Sequence, residues 1–231
     1  MRVLPVFVIA LCCAQAATAQ PTSKAGQARV SIDAGNIFIE QGGQRRQLTT
    51  LGRDADAVLS PDGKFVAFTR SDGKPAPDDP MICKTGADGD ELRRIDADGK
   101  NERLLLKARA GKAPPQQLCR FDQKQFSSDG RKLFFIAPGW TTSGALHVYD
   151  FGRQSVSFVA PANLAIVLNF CAGEHRDQLV LNQHRYFIGG GSYDWYWLYD
   201  RSGRKEIGPV GDDSEKPESI IAKARDIICA P

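Results

Sequence analysis

The side chains able to do chemistry are few and scattered. The three histidines, His147, His175 and His184, lack any spacing that would bring two of them onto one metal ion. His147 alternates with Val148 and Tyr149 in a strand-like run, which predicts a structural role. Glu174-His175-Arg176 is a compact acid–base triplet that would suit proton transfer at a channel mouth, and that is simply solvated in an ordinary turn. No Gly-x-Ser-x-Gly elbow and no Gly-x-x-x-x-Gly-Lys phosphate loop occurs. Asp96-Ala97-Asp98-Gly99-Lys100-Asn101 has the rhythm of a calcium loop, but Lys107 stands where the bidentate glutamate should be. These patterns predict no metal, no cofactor and no catalytic residue, and they favour a protein that is not an enzyme.

Aromatic residues give the stronger signal. Trp140 lies in Pro138-Gly139-Trp140-Thr141-Thr142-Ser143-Gly144, and Tyr193-Asp194-Trp195 follows the run Gly189-Gly190-Gly191-Ser192. Aromatics beside mobile glycine and an acidic group can build a recognition surface, so Trp140, Tyr193, Asp194 and Trp195 are the candidate binding residues. The competing expectation is that both tryptophans pack as core.

Those residues need strands to hold them, and the turn signals supply the pattern. Ser60-Pro61-Asp62-Gly63 separates Val58-Leu59 from Lys64-Phe65-Val66-Ala67-Phe68. Proline presets φ, aspartate bonds back to the backbone and glycine takes a positive φ at little cost. Phe126-Ser127-Ser128-Asp129-Gly130 repeats the unit, and Phe170-Cys171-Ala172-Gly173-Glu174 is a weaker third copy. The repeat predicts four-stranded units at 57–107, 125–159 and 165–210, and a partial unit at 29–50 that lacks its inner strand. The fold class is therefore all-β: a β-propeller of about four four-stranded antiparallel blades. Residues 227–231 would supply the missing strand and close the ring. The alternative is a terminal helix over 215–228, since Ile220, Ile221, Ala224, Ile227 and Ile228 also fit helical spacing.

Outside the repeats, Arg2, the apolar run 3–13 and Ala17-Thr18-Ala19 read as a signal peptide over 1–19, cleaved after Ala19. One β-propeller domain would then fill 20–231, periplasmic or secreted. A lipoprotein acylated at Cys12 or Cys13 is the lesser alternative. No run is long enough for a transmembrane helix. A formal net charge of +3 leaves no polyelectrolyte footprint, so nucleic acid is not an expected partner. Four cysteines follow the leader, Cys83, Cys119, Cys171 and Cys229, and an even number in an exported chain suggests two disulfides.

Arg45-Arg46-Gln47-Leu48-Thr49, Ser60-Pro61-Asp62-Gly63-Lys64-Phe65-Val66-Ala67-Phe68 and Phe126-Ser127-Ser128-Asp129-Gly130 together resemble the TolB-type, or PD40, propeller repeat. The resemblance covers roughly residues 29–210. The family's periplasmic member carries six blades and an N-terminal domain, for which this chain has no room, so a role in the Tol-Pal system is not implied. Within a blade, the turns after strands one and three share one face, and the turn after strand two shares the other with the blade-to-blade link. On the ring reading that topology predicts Cys83–Cys119 and Cys171–Cys229. The expected function is binding of a protein or peptide partner without catalysis. The rivals are a glycan-acting hydrolase or lyase on the same scaffold and a structural accessory module.

Overall fold

The computed structural model describes residues 28–73, 90–109 and 111–229. The region read as a signal peptide and Cys83 lie outside them. Four antiparallel sheets follow one another along the chain. The first has three strands, β1 (Arg29–Asp33), β2 (Asn36–Gln41) and β3 (Gln44–Gln47). The second has four, β4 (Asp54–Leu59), β5 (Phe65–Arg70), β6 (Glu91–Asp96) and β7 (Arg103–Lys107). The third runs through β8 (Asp122–Phe126), β9 (Lys132–Trp140), β10 (Ser143–Asp150) and β11 (Ser155–Pro161). The fourth comprises β12 (Leu164–Val167), β13 (Leu179–Tyr186), β14 (Ser192–Tyr199) and β15 (Glu206–Gly211). Each is a simple meander, and the whole is a four-bladed β-propeller array.

Local chemistry explains the turns. Ser60 Oγ accepts the Phe65 N–H at 3.1 Å and donates to Asp62 Oδ1 at 2.7 Å, while Gly63 has φ +70°. Ser127 accepts the Lys132 N–H at 3.0 Å and donates to Asp129 at 2.7 Å, with Gly130 at φ +69°. The second turn thus repeats the first group for group. The third does not: a short 3-10 turn over Gly173–His175 replaces it.

The blades adhere through alternating apolar faces. Every residue of β5 is buried. Its Phe65 and Ala67 pack with Phe121, Phe126, Leu133 and Phe135 of the third blade, and its Val66 and Phe68 pack with Ile37 and Ile39 of the first. Phe134, Ile136 and Leu146 then meet Ala165, Val167, Leu179 and Leu181 of the fourth.

Polar staples tie the inner strands. The Lys124 side chain, fully buried on β8, donates to Asp56 Oδ2 at 2.6 Å, Thr69 Oγ1 at 2.6 Å and the Phe121 carbonyl at 2.5 Å. Three acceptors satisfy the three ammonium donors. Gln125 acts as a strand in miniature: its amide donates to Ala165 O at 2.6 Å and accepts the Val167 N–H at 3.0 Å.

The C-terminus corrects the ring expectation. Residues 217–228 are helical, α1 (Pro217–Lys223) running into a wider π-type turn over Ala224–Ile228, so among the described residues no terminal strand joins the first sheet. The reason is apolar demand. Ile166, Leu168, Val180, Tyr196 and Leu198 form the outer face of the fourth blade, and Ile220 and Ala224 cover it. Among the described residues no hydrogen bond, ion pair or core cluster joins the first sheet to the fourth. Cys171 and Cys229 are joined by a disulfide, with their Cα atoms 5.0 Å apart. That bond was expected to accompany a closing strand, but a helix reaches Cys171 equally well. Cys119 is also disulfide-bonded. The Cys83–Cys119 pairing itself lies outside the described residues.

Lys124→Ala takes the donor from Thr69 Oγ1 and the ion-pair partner from part-exposed Asp56, and leaves a cavity in the seam, while the Phe121 carbonyl keeps its bond from the Thr69 hydroxyl. The loss is expected to cost about 2–4 kcal/mol in denaturant unfolding. A cost under about 1 kcal/mol, the level of an exposed pair, would contradict the staple.

Candidate functional site

The β13–β14 hairpin builds the site. Its turn closes with Phe187 N–H to Gly191 O at 3.1 Å and Gly190 N–H to Phe187 O at 3.1 Å. Gly190 and Gly191 sit at φ +98° and +84°, which side chains rarely adopt. Beyond the turn, strand alternation puts Tyr193, Trp195 and Trp197 on one face. Their rings form a row with Phe187: 4.6 Å from Phe187 to Tyr193, 5.4 Å to Trp195 and 6.1 Å to Trp197, centroid to centroid. The Arg185 guanidinium lies 3.8 Å above the Trp197 ring. It is held there by Glu206 at 2.5 Å, Gln183 at 2.6 Å and the Tyr199 hydroxyl at 2.9 Å. At the turn, Tyr186, Phe187 and Ile188 are 68%, 55% and 109% exposed.

The expected binding residues divide. Tyr193 and Trp195 come together as a surface. Asp194 faces the reverse side, where its carboxylate lies 3.1 Å from His184 Nδ1. Trp140 ends β9 and packs edge-on to Phe158 at 6.1 Å, on the third blade. The run 138–144, expected as an open loop, is instead two long strands joined at Thr141 and Thr142. The two turns do meet, with the Thr142 and Tyr186 hydroxyls 3.3 Å apart. Arg185, Phe187 and Trp197 were not anticipated. Period-two spacing from Trp195 pointed to Trp197, and the cross-strand register pairs Arg185 with Tyr193.

Titratable groups gather elsewhere, between the second and third blades. Burial pushes the Asp90 carboxyl up to about 6, opposed by Arg120 and reinforced by Asp122. Burial also lowers the Lys124 ammonium, against the pull of Asp56. Acid–base chemistry needs such shifts, but here both groups belong to a packed seam. His147 is buried, with Nδ1 3.0 Å from Ala145 O and Nε2 2.9 Å from Pro115 O, and its ring stacks on Phe135 at 5.6 Å. His175 holds Gln178 at 3.0 Å within its turn. Among the described residues no group of three His, Cys, Asp or Glu side chains has metal-binding geometry, and no helix is long and apolar enough to cross a membrane.

No protein-family model matches the chain, and no curated protein does. Solved structures do resemble it. The β-propeller domain of the trilobed protease of Pyrococcus furiosus is 17% identical, with 81% of this chain and 54% of that one aligned at a TM-score of 0.47. Oligogalacturonate lyase of Vibrio parahaemolyticus is 9% identical over 78% of this chain and 44% of that one, at a TM-score of 0.52. TolB of Acinetobacter baumannii is 14% identical over 80% of this chain and 51% of that one, at 0.35. The chain thus spans about half the length of these proteins. The likeness is one of fold, and the fold is that of propeller blades.

Asp90 gives a pH test. Its folded-state pKa is raised, so the native protein holds this proton after the unfolded chain has released it, and stability falls as pH climbs from 3.8 to about 6. Asp90→Asn removes that loss. The variant is expected to gain melting temperature over the wild type at pH 7 and little at pH 4. A gain equal at both pH values would show that Asp90 is not held in its neutral form.

Proposed function

We propose that the protein is an exported, non-catalytic β-propeller that binds a protein or peptide partner in the periplasm or outside the cell. The row Phe187–Tyr193–Trp195–Trp197 carries this reading. Large rings and an arginine held rigid beside a protruding apolar turn are the composition of binding hot spots. Tyr and Trp offer wide contact at small entropic cost, because few torsions need fixing. The Arg185 network fixes the guanidinium before any partner arrives, which reduces the ordering cost of association.

A photo-crosslinking residue in place of Ile188, which is fully exposed, tests the proposal in exporting cells. A discrete adduct that mass spectrometry identifies as one protein is expected. The added pair Tyr193→Ala and Trp195→Ala should cut its yield at least about tenfold, as loss of a hot spot would. Circular dichroism should show the fold retained. An adduct indifferent to the two substitutions would reject this surface, and an adduct with glycan instead of protein would reject the partner class.

A further inference from the structure

A concavity lies at the opposite end of β14, roughly 24 Å from the aromatic turn at about 3.4 Å per residue. It is a groove of ≈ 360 Å³ between the outer strands of the third blade and the β14–β15 turn of the fourth. Phe134, Val148, Phe158 and Val159 are its apolar lining. The β14–β15 turn presses onto that lining, since a Cβ at Gly203, where φ is +69°, would collide with Val159.

The walls are basic. Lys132 starts β9, Arg153 lies in the β10–β11 turn, and Arg201 and Arg204 lie in the β14–β15 turn. Among the described residues none of these four side chains has a carboxylate within 4.0 Å or donates a hydrogen bond to the protein. The lining holds one carboxylate, Asp150, whose Oδ1 accepts the Gly152 and Arg153 N–H groups at 2.9 and 3.0 Å. Those bonds hold its carboxyl below the usual range and fix it in place. Ser155 and Ser157 add hydroxyl donors around the same space, while the Ser202 hydroxyl is already given to Asp200 Oδ2 at 2.7 Å. By contrast, Arg70 and Arg93 share Glu102, and Arg185 has Glu206.

We infer that this groove binds a phosphate ester of a compact organic molecule. Four cations against the single Asp150 carboxylate leave the concavity with an excess of positive charge, which a bound anion would offset. Guanidinium forks match phosphate oxygens two at a time, and serine hydroxyls complete a tetrahedral set. The volume is that of a small-ligand site and exceeds a bare phosphate, so the apolar lining is left for the organic body. A soluble phosphorylated sugar and a phosphorylated lipid headgroup share this chemistry.

Calorimetric titration of the whole chain with glucose 1-phosphate, inorganic phosphate and glucose tests the site. Glucose 1-phosphate is expected to bind at least about fivefold more tightly than inorganic phosphate, with glucose silent. The pair Arg201→Gln and Arg204→Gln, both exposed, should weaken binding at least about tenfold with an unchanged melting temperature. Absence of saturable binding below about 10 mM, a very weak affinity, would overturn the inference, as would equal binding by the variant. Co-sedimentation with phosphatidic acid vesicles, competed by glucose 1-phosphate, would support the headgroup as the source. Calorimetric binding without co-sedimentation would support a soluble ester.

Discussion

Face-to-face packing of alternating strands is the constraint on which the rest depends. A strand sends its odd and even residues to opposite faces, so a sheet with two apolar faces must find a neighbour on each side. The second blade shows this most plainly, because β5 is buried from end to end. The two ends of the array meet the demand differently. The first blade turns a polar face outward: Arg45 lies 4.0 Å over the Phe38 ring and pairs with Asp33 and Glu40. The fourth keeps an apolar outer face, and α1 takes the place a further sheet would occupy. Capping of this kind is how stacked repeats end without sticking to one another.

The stack also fixes what lies at the strand ends. Because β14 carries the aromatic turn at one end and the basic turn at the other, one rigid strand separates two surfaces of opposite character. Arg185 and Trp197 lie on the body of the same sheet, where packing holds their geometry. Packing rigidity of this sort costs a partner less on association than ordering a loop would.

Much of the fold was legible because its determinants are local. Ser60, Asp62 and Gly63 form their turn with bonds spanning at most five residues, so the sequence alone suffices. The C-terminus was harder. Ile220, Ile221, Ala224 and Ile228 suit a helix, but the short run at 227–231 also suits a strand, and only the uncovered face of the fourth blade decides between them. The Lys124 staple was illegible, since its partners Asp56 and Thr69 are 68 and 55 positions away. For the site, alternation brought Tyr193 and Trp195 together and by the same rule sent Asp194 to the reverse face. Trp140 was misplaced because its glycines read as a loop, whereas β9 continues through Gly139 to Trp140. The basic groove joins turns fifty residues apart, which charge counting over the whole chain averages away.

The capped end of the stack depends on α1 and on the Cys171–Cys229 bond. Hydrogen exchange read by mass spectrometry, on the wild type and on Cys171→Ser with Cys229→Ser, tests it most directly. If α1 covers the fourth blade and the disulfide clamps it there, loss of the bond should speed exchange in α1, β12 and β13. Exchange in β5 and β6 of the second blade should stay as slow as before. Equal acceleration in every blade would mean that the disulfide acts on a single cooperative ring. No acceleration in β12 and β13 would mean that the helix does not protect that sheet.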